Sequence, residues 1–201
     1  MKLAQRISNL QHEGAYRVMS LAQALECEGK DIVHLEIGQP DFKTFPEISE
    51  AGKKAIDEGY TRYNPSEGYG DLRESIAEFS KQRGIQSNPS QIVVGPGAKP
   101  VLLFPLMALL EEGDEALYPD PGFPSYRADI EIAGGAPVPV LLVEVNIFSI
   151  DLQALEELFT DRTNILILNS PAYATGGVIS KPDLEAIAAL AQKHNFYVLS
   201  D

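Results

Sequence analysis

From Tyr16 to Glu28 the apolar positions Val18, Leu21, Ala22 and Leu25 recur at helical spacing, and Gly29-Lys30 ends the pattern. A helix is predicted there, followed by a strand over the β-rich run Ile32–Ile37. That run feeds Gly38-Gln39-Pro40, which must be irregular because Pro40 lacks a donor and disfavours helix before it. Pro46 opens a second helix through Ala51 and Ile56 to Gly59, and Leu72, Ile76 and Phe79 mark a third that ends near Gly84. Between these two, Tyr60 to Gly70 reads as loop.

After Asn88-Pro89-Ser90 the pattern changes to short apolar runs alternating with helical ones. The runs are Gln91–Val94, Ala116–Tyr118, Val138–Val143, Asn164–Leu168 and Phe196–Leu199; the helical patterns are Ala98–Glu111, Ser125–Ile132, Leu152–Phe159 and Asp183–His194. Strands that are apolar on both sides, separated by helices, predict an α/β fold: three layers, α/β/α, around a mostly parallel sheet. The longest apolar run, Val101 to Leu110, is interrupted by Pro105 and is far short of the ~20 residues that span a bilayer, so a buried helix is expected.

The 16 Lys plus Arg stand against 29 Asp plus Glu, a net charge of −13. An acidic chain without a basic cluster makes nucleic acid and anionic membranes poor partners and leaves small molecules. With 44% hydrophobic and 22% charged residues over 201 positions, disorder and small disulfide scaffolds are excluded. Cys27 cannot pair within the chain, and Met1 to Arg6 lacks the apolar core of a secretory signal, so a cytoplasmic location is expected. His12, His34 and His194 are dispersed and do not join Cys27 at ligand spacing, so no metal site is predicted. Glu111-Glu112 and Glu156-Glu157 read as solvated helix faces.

Three segments follow strands, where an open α/β sheet binds its ligands. Val94-Gly95-Pro96-Gly97-Ala98-Lys99 runs from a strand into a helix, so backbone N–H groups and the positive helix end converge as a phosphate site would require. The alternative is a tight turn whose glycines serve sterics alone. Tyr118 to Tyr126 holds Phe123 on a proline-stiffened turn, ready to stack on a flat ligand or simply to cap the core. Asn169 to Gly177 is a loop of small and polar residues before a helix that Ser180 would cap. Asp201 directly follows the strand Phe196–Ser200, a carboxylate expected to be partly buried and to need a cationic or hydrogen-bonding partner. A chain ending at such an edge is expected to be the N-terminal part of something longer.

Taken in order, these segments resemble the class I/II aminotransferases, pyridoxal-phosphate enzymes of fold type I, nearest their aspartate aminotransferase-like branch. The residues that carry the resemblance are LEIGQPDF at 35–42, YTRYNPSEGYGDLR at 60–73, GPGAK at 95–99, GDEALYPDPGFPSY at 113–126, NSPAYATGG at 169–177 and FYVLSD at 196–201. It covers nearly the whole chain. The resemblance implies an N-terminal arm and small-domain segment over 1–47 and, over 48–201, an incomplete cofactor-binding large domain. It implies pyridoxal 5'-phosphate as cofactor, with Gly97, Ala98 and Lys99 on its phosphate, Phe123 stacked on the pyridine ring and Asp201 bonded to the protonated ring nitrogen. Tyr63 would reach the phosphate of a neighbouring subunit, making a homodimer the expected assembly, and Gly38 would line the pocket for an amino acid and a 2-oxo acid.

The chain departs from the family pattern in two places. Where the family reads NPTG, this chain has Tyr173-Ala174-Thr175-Gly176, so a bulkier hydroxyl group replaces the asparagine that bonds the cofactor's phenolic oxygen. The Schiff-base lysine and the substrate-clamping arginine would fall downstream of Asp201 and are absent. Lys99 sits at the phosphate end and Lys181 at a solvated helix start, so neither is expected to substitute, and the chain alone is expected to be inactive. Alternative readings are a non-catalytic remnant or interaction module of the same fold, another fold-type-I enzyme such as a lyase, and a nucleotide-binding domain using Gly95 to Lys99 without either glycine fingerprint.

Overall fold

The computed structural model describes residues 14–201, so the readings of Met1 to Arg6 and of His12, and the first part of the 1–47 segment, lie outside the described residues. The described chain divides into two compact units, Gly14–Pro96 and Gly97–Asp201.

The first unit carries helices α1 (Gly14–Cys27), α2 (Pro46–Asp57) and α3 (Gly70–Gln82), then a 3-10 turn at Pro89–Gln91. Pro46 occupies the first turn of α2, where a missing N–H costs nothing. Gly29 stops the chain after α1 with φ +82°. The 3-10 turn is closed reciprocally, with Asn88 Oδ1 accepting from the Ser90 N–H and Gln91 Oε1 accepting from the Asn88 N–H, each at 3.0 Å.

Two predicted strands do not form. Ile32–Ile37 is irregular, with Val33 and Leu35 more than four-fifths exposed, because a strand exists only through a ladder and no described segment pairs with it. The polar residues there bond locally instead: His34 sits between Glu26, at 2.9 Å, and Glu36, at 2.7 Å. Gln91–Val94 is likewise no strand. Gln91 belongs to the capped turn, and Val94 donates its N–H to Glu67 O at 3.0 Å.

The second unit is the α/β layer structure. It contains α4 (Ala98–Leu109), β1 (Glu115–Asp120), α5 (Ser125–Ala133), β2 (Ala136–Leu141), α6 (Leu152–Glu157), β3 (Thr163–Leu168), α7 (Lys181–His194) and β4 (Tyr197–Ser200). The strands form one parallel sheet in the order β2-β1-β3-β4. Leu117 of β1 stands opposite Val138 and Leu166, and Ile167 of β3 opposite Leu199.

The period-two alternation of the central strands splits the core in two. Ala116, Tyr118, Ile165 and Ile167 pack with Leu102 and Leu106 of α4 and Tyr126 and Ile130 of α5. Leu117, Leu166 and Leu168 pack on the other face with Leu155 of α6 and Ile187 of α7. Both faces of the sheet are thus covered, which is the expected three-layer α/β/α arrangement.

The expectation of a buried helix over Val101 to Leu110 needs correction. Leu102 and Leu106 are buried, yet Val101, Phe104 and Met107 are exposed, because the sheet and α5 cover one side of α4 within its unit. The ends of α7 behave as predicted: Ser180 Oγ accepts from the Asp183 N–H at 3.3 Å, and His194 lies in the last turn. Glu156 sits on a solvated face, paired with Lys193 at 2.6 Å. Among the described residues no helix is long and apolar enough to cross a membrane.

Candidate active site

The site builds up at the carboxyl ends of β1, β3 and β4 and at the start of α4. Gly97 precedes α4 with φ +100°, a conformation that side-chain-bearing residues rarely adopt, and a Cβ added there would meet no described atom within 4 Å. The first-turn N–H groups of α4 have no helical partner, so this end is an open set of donors with the dipole's positive end behind it. Ala98 and Lys99 begin the helix, and the Lys99 ammonium reaches 5.6 Å from the centroid of the Phe123 ring.

Phe123 comes from the turn after β1. That turn is tight enough to require glycine: a Cβ on Gly122 would lie 2.2 Å from Pro119 O. The Phe123 ring packs edge-on with Tyr126, centroids 5.6 Å apart, and with Tyr173, centroids 5.5 Å apart. Phe123 is partly buried against the core while remaining in contact with the polar cluster, so the capping and the ligand-facing readings both keep their footing.

Asp201 extends the β4 ladder, its N–H donating to Leu168 O at 2.9 Å. Here too the structure corrects the expectation: Asp201 is exposed rather than partly buried, because β4 is an edge strand and the carboxylate lies beyond its last rung. It still has the predicted hydrogen-bonding partner. The Tyr126 hydroxyl donates to Asp201 Oδ2. Tyr126 is buried, and burial together with that bond pushes its pKa far above the usual phenol value, so it remains a donor at any physiological pH.

Asn169, directly after β3, ties the third loop to the same place. Its amide donates to Asp201 O at 3.3 Å, and its Oδ1 accepts from the Tyr173 N–H at 2.6 Å. Lys99, Phe123, Tyr173 and Asp201 therefore stand in one contact network with Tyr126 and Asn169 as its links. Reasoning from sequence had assigned no role to Tyr126 or Asn169, although both lie inside the quoted motifs. The signal available was position, since one opens the loop after β3 and the other starts the helix after the β1 turn.

Gly38 and Tyr63 belong to the other unit. Gly38 lies in the irregular segment after a bend, open on its Cβ side, and Tyr63 is fully exposed on the loop between α2 and α3. Lys181 pairs with Glu185 at 3.8 Å on the solvated start of α7.

The donor set fits a phosphorylated, nitrogen-containing aromatic cofactor. The open α4 start suits a phosphate, Phe123 offers an aromatic surface, and the Asp201 carboxylate, steadied on one oxygen by Tyr126, retains acceptor capacity for a protonated ring nitrogen.

A family model for aminotransferase class I and II matches residues 30–201. Curated relatives include the aspartate aminotransferase of Bacillus subtilis (strain 168), 36% identical over 100% of this chain and 51% of that protein. The aspartate aminotransferase of Pyrococcus abyssi is 44% identical over 86% of this chain and 45% of its own length. Among solved structures, Thermus thermophilus aspartate aminotransferase with maleate superposes with a TM-score of 0.96 at 35% identity, covering 100% of this chain and 53% of that one. The chain spans about half the length of the curated relatives it matches.

Proposed function

Because the chain belongs to the class I and II aminotransferases, we propose that it provides the cofactor-holding half of a pyridoxal 5'-phosphate enzyme that moves an amino group from an amino acid to a 2-oxo acid. The observation that carries this reading is the single network joining Lys99, Phe123, Tyr126 and Asp201 beside the open start of α4.

In this reading Gly97, Ala98 and Lys99 bind the phosphate, backbone donors setting its position and the lysine adding charge. Phe123 excludes water from one face of the pyridine ring. Asp201 would accept the N–H of a protonated ring nitrogen, and Tyr126 fixes that carboxylate by donating to its Oδ2. When bound, the cofactor supplies an electron sink for the substrate's α-carbon. Tyr173 lies beside this surface in place of the family's asparagine, its hydroxyl serving as the donor toward the phenolic oxygen. No residue of this chain is proposed for the Schiff-base lysine.

Gly38 is proposed to line the substrate pocket through its backbone and Tyr63 to reach the phosphate of a second subunit, so the working assembly is a homodimer. The arm and small-domain segment over 1–47, the large domain over 48–201 and a cytoplasmic location complete the proposal.

A second reading, a cofactor-free interaction module, is favoured by one observation: the Tyr173 ring, where the family has asparagine, packs edge-on against Phe123, centroids 5.5 Å apart. One titration separates the two. The chain has 8 Tyr and no Trp, so quenching of tyrosine emission reports ligand binding. Pyridoxal phosphate is expected to bind at least about tenfold more tightly than pyridoxal, with Phe123→Ala weakening both. Equal affinity for the two, or no binding of either, defeats the cofactor reading.

A further inference from the structure

Asn169 is the first residue after β3, and its side chain makes two bonds of opposite sense. Its Nδ2 donates to Asp201 O at 3.3 Å, and its Oδ1 accepts from the Tyr173 N–H at 2.6 Å. The partners fix which end of the amide is which, since a backbone oxygen needs a donor and an N–H needs an acceptor. Among side chains of this length, an aspartate could serve only the second partner and a leucine neither.

These two bonds close a circuit. From Asp201 it runs through the Tyr126 hydroxyl to the Tyr126 ring, edge-on to Phe123 with centroids 5.6 Å apart, edge-on again to Tyr173 at 5.5 Å, and through the Tyr173 N–H back to Asn169. Asp201 gains most from it. The residue lies beyond the last rung of an edge strand, where the bond from its N–H to Leu168 O at 2.9 Å secures one end of it. Asn169, next in the chain to Leu168, secures the other end, and the Tyr126 hydroxyl secures the side chain. The loop carrying Tyr173, by contrast, closes on its own. Ala172 N–H donates to Gly177 O and Gly176 N–H to Ala172 O, both at 2.7 Å, and Ile179 N–H donates to Ser170 Oγ at 3.0 Å. Loss of the Asn169 amide therefore cuts the link while these bonds keep the loop in place.

We propose that Asn169 is a positioning residue whose one amide couples the placement of Asp201 to that of Tyr173, so that the carboxylate and the tyrosine are set as a pair. What the pair serves rests on the cofactor reading of this edge; the coupling itself does not. Coupling of this kind is reciprocal: a change that loosens Asp201 also loosens the Tyr173 N–H, and a ligand that fixes one fixes the other.

Hydrogen exchange at the Tyr173 amide, followed by NMR in the full ligand-free chain, reads the link directly. Asn169→Ala should speed it about five- to tenfold, while Asn169→Asp, which keeps the acceptor, should leave it within about twofold. Tyr126→Phe removes a hydroxyl from Asp201 and keeps the ring contacts with Phe123, so it reaches Tyr173 through Asn169. It should speed Tyr173 exchange about two- to threefold, and add nothing in an Asn169→Ala background. Tyrosine quenching by pyridoxal phosphate and by its analogue with carbon in place of the ring nitrogen supplies the ligand readout, because only the former addresses Asp201. The preference for pyridoxal phosphate should fall about fivefold in Asn169→Ala, whereas a merely structural residue would weaken both ligands alike. Tyr173 exchange unmoved by Asn169→Ala or by Tyr126→Phe, or a preference that survives Asn169→Ala, overturns the proposal, and Tyr126→Phe tests it without any change at Asn169. A chain that binds neither ligand refutes the cofactor reading, and the exchange rates still decide the coupling. A chain that binds pyridoxal phosphate while Tyr126→Phe leaves Tyr173 exchange in place refutes the coupling alone.

Discussion

Tyr126→Phe isolates the bond that aims Asp201. The ring is 1% exposed and packs in the core, so the substitution keeps its volume and its contacts with Phe123 and Ile130. What disappears is one hydroxyl donating to a carboxylate. Hydrogen bonds to charged groups contribute about 1.5–3 kcal/mol when both ends are shielded. Asp201 is exposed, and water replaces the lost donor on that side, so the lower part of the range applies with a further discount. The expected loss of stability is about 1 kcal/mol, or roughly 2–4 °C in Tm for a chain of this size. The functional effect should be larger relative to its cause. A carboxylate free to rotate holds the ring nitrogen in the right geometry only part of the time, and affinity for pyridoxal phosphate should fall about five- to tenfold, near 1–1.4 kcal/mol. Thermal unfolding and the tyrosine-quenching titration measure the two effects on one sample. Unchanged pyridoxal phosphate affinity, with the stability loss present, would refute the argument that Tyr126 orients Asp201 for a ligand and leave it a purely structural bond.

Three further outcomes are expected. His34, held between Glu36 and Glu26, has its pKa raised to about 9 by those bonds; its clamp is therefore complete below the unfolded-state value near 6.5 and is lost as pH rises through 9. NMR titration of the imidazole checks this, and a midpoint near 6.5 contradicts it. Arg162→Ala leaves the buried Glu115 carboxylate with the Thr160 hydroxyl alone; since Arg162 is mostly exposed, the cost should fall at about 2 kcal/mol, between surface and buried pairs. Urea unfolding in a Glu115→Gln background should show most of it gone, and additive effects would exclude a charge pairing. Ile147 sits at φ +53° with its side chain four-fifths exposed, so Ile147→Asn should gain roughly 0.5–1 kcal/mol by relieving left-handed strain, and lower stability would argue against strain there.

How much of this fold is legible in the chain depends on whether a segment's burial is local to it. The unbroken apolar runs Ala116 to Tyr118 and Ile165 to Leu168 mark strands covered on both sides, because a strand buried on both faces is apolar along its middle. Helix ends were equally readable, since Pro46, Gly29 and Ser180 satisfy or omit specific backbone groups at a fixed offset. Ile32–Ile37 and Gln91–Val94 carry the same composition as true strands, and composition cannot report whether a ladder partner exists. Val33 and Leu35 were read by what they prefer, while their structure follows from what they pair with.

The site divides along the same line. Phe123 and Asp201 were readable as candidates because each follows a strand at the edge where ligands bind, whereas Gly97 was singled out by the glycines before a helix start, the strand expected ahead of it being absent. Tyr126 and Asn169 act only through something else: a hydroxyl on Asp201 and an amide joining two loops. Their partners lie 75 and 32 residues away along the chain for the first two bonds, and no local pattern encodes such a separation. Burial distinguishes them in turn. Tyr126 is buried and its partner carboxylate exposed, so water can take that partner's place at modest cost, whereas the half-buried Asn169 amide satisfies a loop N–H that would otherwise need another acceptor.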